Sequence, residues 1–227
     1  MSGTDQDSGG NSAGEAFLVN PKGGVKGPGV LLLHSWWGLT DDVKDLAERI
    51  ADEGYTVVAP DLLEGQRPLS IDDGEAALAS ISPDDISGLV LSSAHALRSV
   101  ALDPTAPIAV VGLSMGGSMA LWLSARLPES VAAVVTFYGA QSIDFDEAKA
   151  TYLGHFGDED HIVSEEDRVV TESFIRLGEN DTTFHVYEGV GHWFFEPGDQ
   201  HDAAASELAW SRTIEFLASH HPPGVRS

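Results

Sequence analysis

Short, nearly all-apolar runs alternate with amphipathic stretches along most of the chain. The run Gly29–Leu33 (GVLLL) is apolar throughout, as expected for a strand buried on both faces of a parallel sheet. From 41 to 53, Val43, Leu46, Ile50 and Ala51 recur at helical spacing, and Gly54 fits the residue just past a helix end. Residues 55–59 (YTVVA) read as the next strand, stopped by Pro60, and the Pro-, Gly- and Asp-punctuated stretch 61–73 reads as loop. The pattern then predicts a helix over 86–100, a strand over 107–111 and a small-residue-rich helix over 115–127. Strands follow over 131–138 and 151–156, a helix over 165–177, a strand over 183–187 and a final amphipathic helix over 203–218. Unbroken alternation of strand and helix implies one α/β domain, a mostly parallel central sheet with helices on both faces. In open sheets of this kind ligands bind outside the carboxyl ends of the strands. Chemistry is therefore sought in the loops that follow these runs.

Composition adds limits. The 227 residues hold 36 acidic against 12 basic side chains, a net charge of −24. Such a field repels nucleic acids and anionic membranes. The absence of cysteine excludes disulfides and thiolate metal sites. No apolar run approaches the roughly 20 residues that span a bilayer. The polar start, 1–14, lacks the basic and apolar segments of a signal peptide and reads as a disordered tail on a cytoplasmic protein. The folded domain is expected over 15–219, with 220–227 as a frayed C-terminus.

One loop stands out. Gly112-Leu113-Ser114-Met115-Gly116, followed by Gly117, leaves a predicted strand and opens a predicted helix. This is the G-x-S-x-G nucleophile elbow in its confirming context. The serine must sit at the apex of a strained turn, and side chains at the flanking glycines would collide across it. The helix N-terminus sets N–H groups and partial positive charge beside the serine, so the Met115 N–H is the expected first oxyanion donor. A phosphate loop would need Lys then Ser/Thr after its last glycine, and Gly117 is followed by Ser118 and Met119.

A serine hydroxyl needs a general base. In the α/β-hydrolase arrangement the chain order is nucleophile, acid, histidine. His192, in Gly189-Val190-Gly191-His192-Trp193 just after a strand, fits that order. His201 lies in a polar stretch and reads as solvated, His155 and His185 as sheet residues, and His34 as too early for the base though placed to line a pocket. The segment 157–163 (GDEDHIV) offers the acid: Asp160 is preferred, with Asp158 an open alternative on spacing alone. The second oxyanion donor is expected in the loop after the first strong strand, where the Trp36 N–H is the candidate. Ser35, Trp37, Tyr138 and Trp193 are candidate pocket residues at strand ends, although aromatic side chains also fill cores.

Taken together, Trp36-Trp37-Gly38, residues 55–61 (YTVVAPD), Gly112 to Gly117, Tyr138-Gly139, residues 157–163 and Gly191-His192 resemble the dienelactone hydrolase family over about 15–218. The resemblance implies an α/β-hydrolase sheet of about eight strands without a large lid. It maps the acid onto Asp160 and the base onto His192. Three departures stand beside it. The family's best-known members carry cysteine where this chain has Ser114, and glutamate where it has Ser35. They also use arginines to hold an anionic substrate, one of them after the histidine motif, where this chain reads Trp193-Phe194-Phe195-Glu196. An acid there disfavours an anionic substrate by Coulomb repulsion.

The expected activity is hydrolysis of a small-molecule carboxylic ester or lactone through an acyl-enzyme, without metal or cofactor, by a monomer or weak homodimer. The alternatives are a non-catalytic binding protein on a hydrolase scaffold and an acyltransferase or perhydrolase.

Overall fold

The computed structural model describes residues 15–223. Seven strands form one sheet in the order β1-β3-β2-β4-β5-β6-β7. They are β1 (Ala16–Val19), β2 (Gly29–Leu33), β3 (Thr56–Pro60), β4 (Ile108–Leu113), β5 (Val131–Phe137), β6 (Thr151–Gly157) and β7 (Thr182–Tyr187). β1 pairs antiparallel with β3, and every other pairing is parallel. The helices are α1 (Asp41–Asp52), α2 (Ile71–Ala79), α3 (Pro83–Val100), α4 (Met115–Arg126), α5 (Glu165–Leu177) and α6 (Ala203–His220).

The apolar runs are explained by burial on both sides. Along β2, Val30 and Leu32 point into a core formed with Val43, Leu46 and Ile50 of α1 and Ala209 and Leu217 of α6. Leu31 and Leu33 point the other way, into a second core that also holds Val90 and Leu97 of α3, Leu121 of α4 and Ile175 of α5. The alternation of side chains along a strand thus feeds two cores from one sequence run. Each such aliphatic side chain, fully buried, contributes about 1.5–3 kcal/mol. Helix starts are capped by side chains: Thr40 for α1, Ser82 followed by Pro83 for α3, and Ser164 with Asp167 in a reciprocal box for α5.

The structure departs from the expected pattern in four places. The sheet has seven strands among the described residues, where about eight were implied. β1 is a four-residue edge strand with alternating partial exposure, too short to carry a pattern of its own. The last three residues of the stretch expected as loop, 71–73, open α2, whose remainder carried no expectation; the Ser70 side chain caps it on the Asp73 N–H. The end expected to fray from residue 220 is packed at its start: α6 runs to His220, and His221 is buried. His221 Nε2 lies 3.0 Å from the Gly29 carbonyl, and its ring stacks on Tyr55 at 5.9 Å. The expected N-terminal tail, 1–14, lies outside the described residues. Among the described residues no helix is long and apolar enough to cross a membrane.

The parallel strands all end on one edge of the sheet. Ser35 follows β2, Ser114 follows β4, Tyr138 follows β5, Asp160 follows β6, and His192 follows β7.

Candidate active site

Ser114 sits between β4 and α4 with φ 51° and ψ −114°, outside the regions open to most L-residues. The turn is tight enough to demand its glycines. A Cβ on Gly112 would stand 2.2 Å from the Gly116 carbonyl oxygen, and one on Gly116 would stand 2.2 Å from that of Leu33. The strain is held by the sheet: the Ser114 N–H donates to the Phe137 carbonyl at 2.8 Å.

Ser114 Oγ lies 2.8 Å from His192 Nε2, and His192 Nδ1 lies 2.7 Å from Asp160 Oδ2. Asp160 Oδ1 accepts the N–H groups of Ile162 and Val163, each at 2.8 Å. Those two donors fix the carboxylate so that its second oxygen faces the imidazole. The side chains of His192 and Asp160 are each 2% exposed. Asp158 is placed elsewhere: its Oδ1 accepts the Gly189 N–H at 2.7 Å on the exposed side of the loop. The geometry therefore gives the imidazole one carboxylate partner, Asp160.

The remaining histidines separate cleanly. His34 is fully buried and takes no part in the relay. Its Nε2 accepts the Leu62 N–H at 2.8 Å, which leaves its Nδ1 proton for the Ser35 carbonyl at 2.6 Å. Burial lowers its pKa to about 4, so it stays neutral and ties the end of β2 to the start of the loop after β3. It is not among the residues lining the neighbouring cavity. His155 is buried between the Tyr187 hydroxyl and Thr213, again with its pKa pushed down by burial. His201 is exposed, with Nδ1 3.4 Å from Ser206 Oγ.

The candidate pocket residues converge on the relay. The Tyr138 ring lies 4.7 Å from that of His192, and the Trp193 ring meets His192 edge-on at 4.9 Å. Trp193 also contacts Trp37 at 5.1 Å and Trp36 at 6.0 Å. Trp36 Cβ and ring atoms lie about as close as 3.5 Å to where a Gly74 Cβ would be, so α2 backs the Trp36 loop. No hydrogen bond among the described residues uses the N–H of Trp36 or of Met115.

One residue was not read from the sequence as a partner within the site. Glu196 is 8% exposed. Its Oε1 accepts from Ser35 Oγ at 2.6 Å and its Oε2 from the Tyr138 hydroxyl at 2.8 Å. The signal available was a lone carboxylate within the apolar run Trp193-Phe194-Phe195, but its partners lie 161 and 58 residues away. Burial pushes its carboxyl up to about 7, against the opposing effect of the two hydroxyl donors. The same burial, with the neighbouring Glu196 charge, holds Tyr138 well above the usual phenol range.

This shift has a sign in the stability of the fold. A carboxyl that binds its proton more tightly in the folded state than at its ordinary 4.5 stabilises the fold below that value. The contribution is lost as pH rises from 4.5 through about 7. Glu196→Gln keeps the shape without the titration. Its unfolding free energy relative to the parent is expected to rise by about 3 kcal/mol between about pH 4 and about pH 8. Urea unfolding across that range measures the difference, and a flat difference would remove the assignment.

The dienelactone hydrolase family model matches residues 15–221. Protein usf of Aquifex pyrophilus is 26% identical over 215 residues, covering 90% of this chain and 92% of the relative. Carboxymethylenebutenolidase 1 of Cupriavidus pinatubonensis is 28% identical over 209 residues, covering 86% and 88%. Among solved structures, a dienelactone hydrolase-like promiscuous phosphotriesterase from metagenomic libraries superposes with a TM-score of 0.77 at 21% identity. That match covers 91% of this chain and 98% of the other. The seven-stranded sheet, the Gly112–Gly116 elbow and the family match over nearly all of the described residues lead to one conclusion: the chain belongs to the dienelactone hydrolase family, of α/β-hydrolase fold, and is a carboxylic ester or lactone hydrolase.

Proposed function

We propose that Ser114 is the nucleophile of this hydrolase and that a small carboxylic ester or lactone is cleaved through an acyl-enzyme. The observation that carries the reading is the unbroken relay from Ser114 Oγ to His192 at 2.8 Å and from His192 to Asp160 at 2.7 Å. His192 Nε2 takes the Ser114 proton as Oγ attacks the carbonyl carbon. Asp160 holds the Nδ1–H tautomer and stabilises the imidazolium that forms. The tetrahedral oxyanion is received by the N–H groups of Met115 and Trp36, a contribution of roughly 3–4 kcal/mol per donor in well-studied enzymes. His192 then gives its proton to the leaving alkoxide oxygen. The same base next deprotonates a water that attacks the acyl carbon, releasing the acid and restoring the Ser114 hydroxyl. In a lactone the alkoxide stays tethered to the acyl group, so the product is one hydroxy acid.

Labelling with a fluorophosphonate tests the nucleophile directly. The expected result is one stoichiometric adduct on the peptide carrying Ser114, formed with loss of 4-nitrophenyl acetate turnover. An unlabelled protein that still turned over the ester would carry a nucleophile other than Ser114. Product analysis with peroxide present separates hydrolysis from acyl transfer to another acceptor.

A further inference from the structure

A cavity of about 920 Å³ opens beside the relay. Leu113 and Trp193, the chain neighbours of Ser114 and His192, line it, so it adjoins the place where an acyl group would sit. Trp37 and Trp193 form an aromatic wall, and the apolar side chains of Leu69 and Ile71 stand exposed at its rim. Such a cavity suits a substrate with an apolar body. Glu196 lines the same cavity.

The placement of Glu196 does two things. Its carboxylate accepts from Ser35 after β2 and from Tyr138 after β5, while its own loop carries His192 after β7. It therefore fastens the loop of the proposed Trp36 oxyanion donor to the aromatic ring that packs on the base. Both of its partners are neutral hydroxyls, so its charge is solvated by dipoles but not cancelled. Arg49 is the one arginine or lysine lining the cavity among the described residues, and its guanidinium lies over Trp210, 4.2 Å from the ring centre. Two like charges at such a partly buried site repel by an amount that corresponds to roughly tenfold to a hundredfold in binding.

We propose that Glu196 is a specificity-determining residue of this site, bracing the Ser35 and Tyr138 loops and selecting neutral and cationic esters over anionic ones. The proposal rests on Ser114 being the nucleophile only for its kinetic readout. The charged and titratable groups around the cavity are Asp42, Asp45 and Arg49 of α1, Asp199 and His201 of the Glu196 loop, and Glu207 of α6, with Tyr138 and His192 on the side of the relay. Asp42 reinforces the upward push on the Glu196 carboxyl. As pH falls through about 7, Glu196 gains its proton and its rejection of anions is lost.

The test uses three 4-nitrophenyl esters of matched chain length, whose acyl ends are methyl, carboxylate and trimethylammonium. At about pH 8 the parent enzyme is expected to show kcat/KM for the anionic ester roughly thirtyfold below the neutral one, with the cationic ester equal or better. In Glu196→Gln that deficit shrinks to within about threefold. In the unaltered enzyme it shrinks as pH is lowered through about 7, an arm that needs no variant. Any change of rate common to all three esters cancels in the ratio. A deficit that survives in Glu196→Gln, or does not change with pH, overturns the proposal. So does an equal loss of kcat on all three esters with the ratio intact, because a brace alone gives that result. The same esters titrated into Ser114→Ala, with and without Glu196→Gln, report charge preference by tryptophan fluorescence without turnover. If the unaltered protein turns over none of the esters but keeps the charge order in binding, the nucleophile is wrong and the role of Glu196 stands.

Discussion

Ser114→Ala is expected to lower kcat on 4-nitrophenyl acetate by about 10⁵- to 10⁶-fold, the loss seen when the serine of a comparable triad is removed. The size follows from what the hydroxyl does. Without Oγ there is no covalent intermediate, and His192 has no proton to take at 2.8 Å. Residual activity comes from whatever the cavity and the N–H groups of Met115 and Trp36 provide to direct attack by water. The fold is not expected to suffer. Alanine meets the same strain at φ 51° as serine does, and among the described residues Ser114 Oγ has one hydrogen-bond partner, His192. Single-turnover kinetics with an active-site titrant, beside a thermal melt, makes the measurement. A variant that melts like the parent and keeps more than a tenth of its rate would place the nucleophile elsewhere.

The elbow was legible in the sequence because its constraint is local. Gly112 and Gly116 are demanded by backbone contacts within one turn and with the adjoining strand end. The proposed base and acid, His192 and Asp160, were readable for a different reason: each rides in a loop at the carboxyl end of an apolar strand, so chain order and strand endings point to them. Spacing alone could not separate Asp160 from Asp158. In the fold their surroundings differ: the Ile162 and Val163 amides hold Asp160 with its other oxygen toward His192, and the Gly189 amide engages Asp158.

What was not legible depends on long-range contact or on weak patterns. Glu196 follows His192 by four residues, and its charge was noticed, but nothing local says that Ser35 and Tyr138 turn their hydroxyls onto it. The two hydrogen bonds give a buried place to an acid that looks exposed in the sequence. α2 was hidden by Gly74 and by a first turn of acids that also reads as loop. His221 looked like part of a polar tail, because its anchor is the carbonyl of Gly29, 192 residues earlier.

Asp160→Asn is expected to lower kcat about 10⁴-fold, and the reason is a tautomer. Two backbone N–H groups, those of Ile162 and Val163, point at Asp160 Oδ1 from 2.8 Å. An asparagine in this place keeps both bonds only if its carbonyl oxygen faces them. Its amide nitrogen then faces His192 Nδ1 and donates to it. The imidazole is left with its proton on Nε2, pointing at Ser114, and cannot act as the base. The flipped amide would restore the imidazole but set an NH₂ group against two N–H donors, leaving both without an acceptor at about 1–3 kcal/mol each. The first orientation costs activity and the second costs stability, and the expected loss of kcat follows from the first being the cheaper fold. Asp158→Asn supplies the contrast. Asp158 braces Gly189 from the exposed side, an oxygen of the amide can keep that single bond, and kcat is expected to stay within about threefold. Steady-state kinetics on the two variants decides the assignment. A larger loss in Asp158→Asn than in Asp160→Asn would reverse it, because the acid that orients His192 must be the one whose amide substitute turns its proton the wrong way.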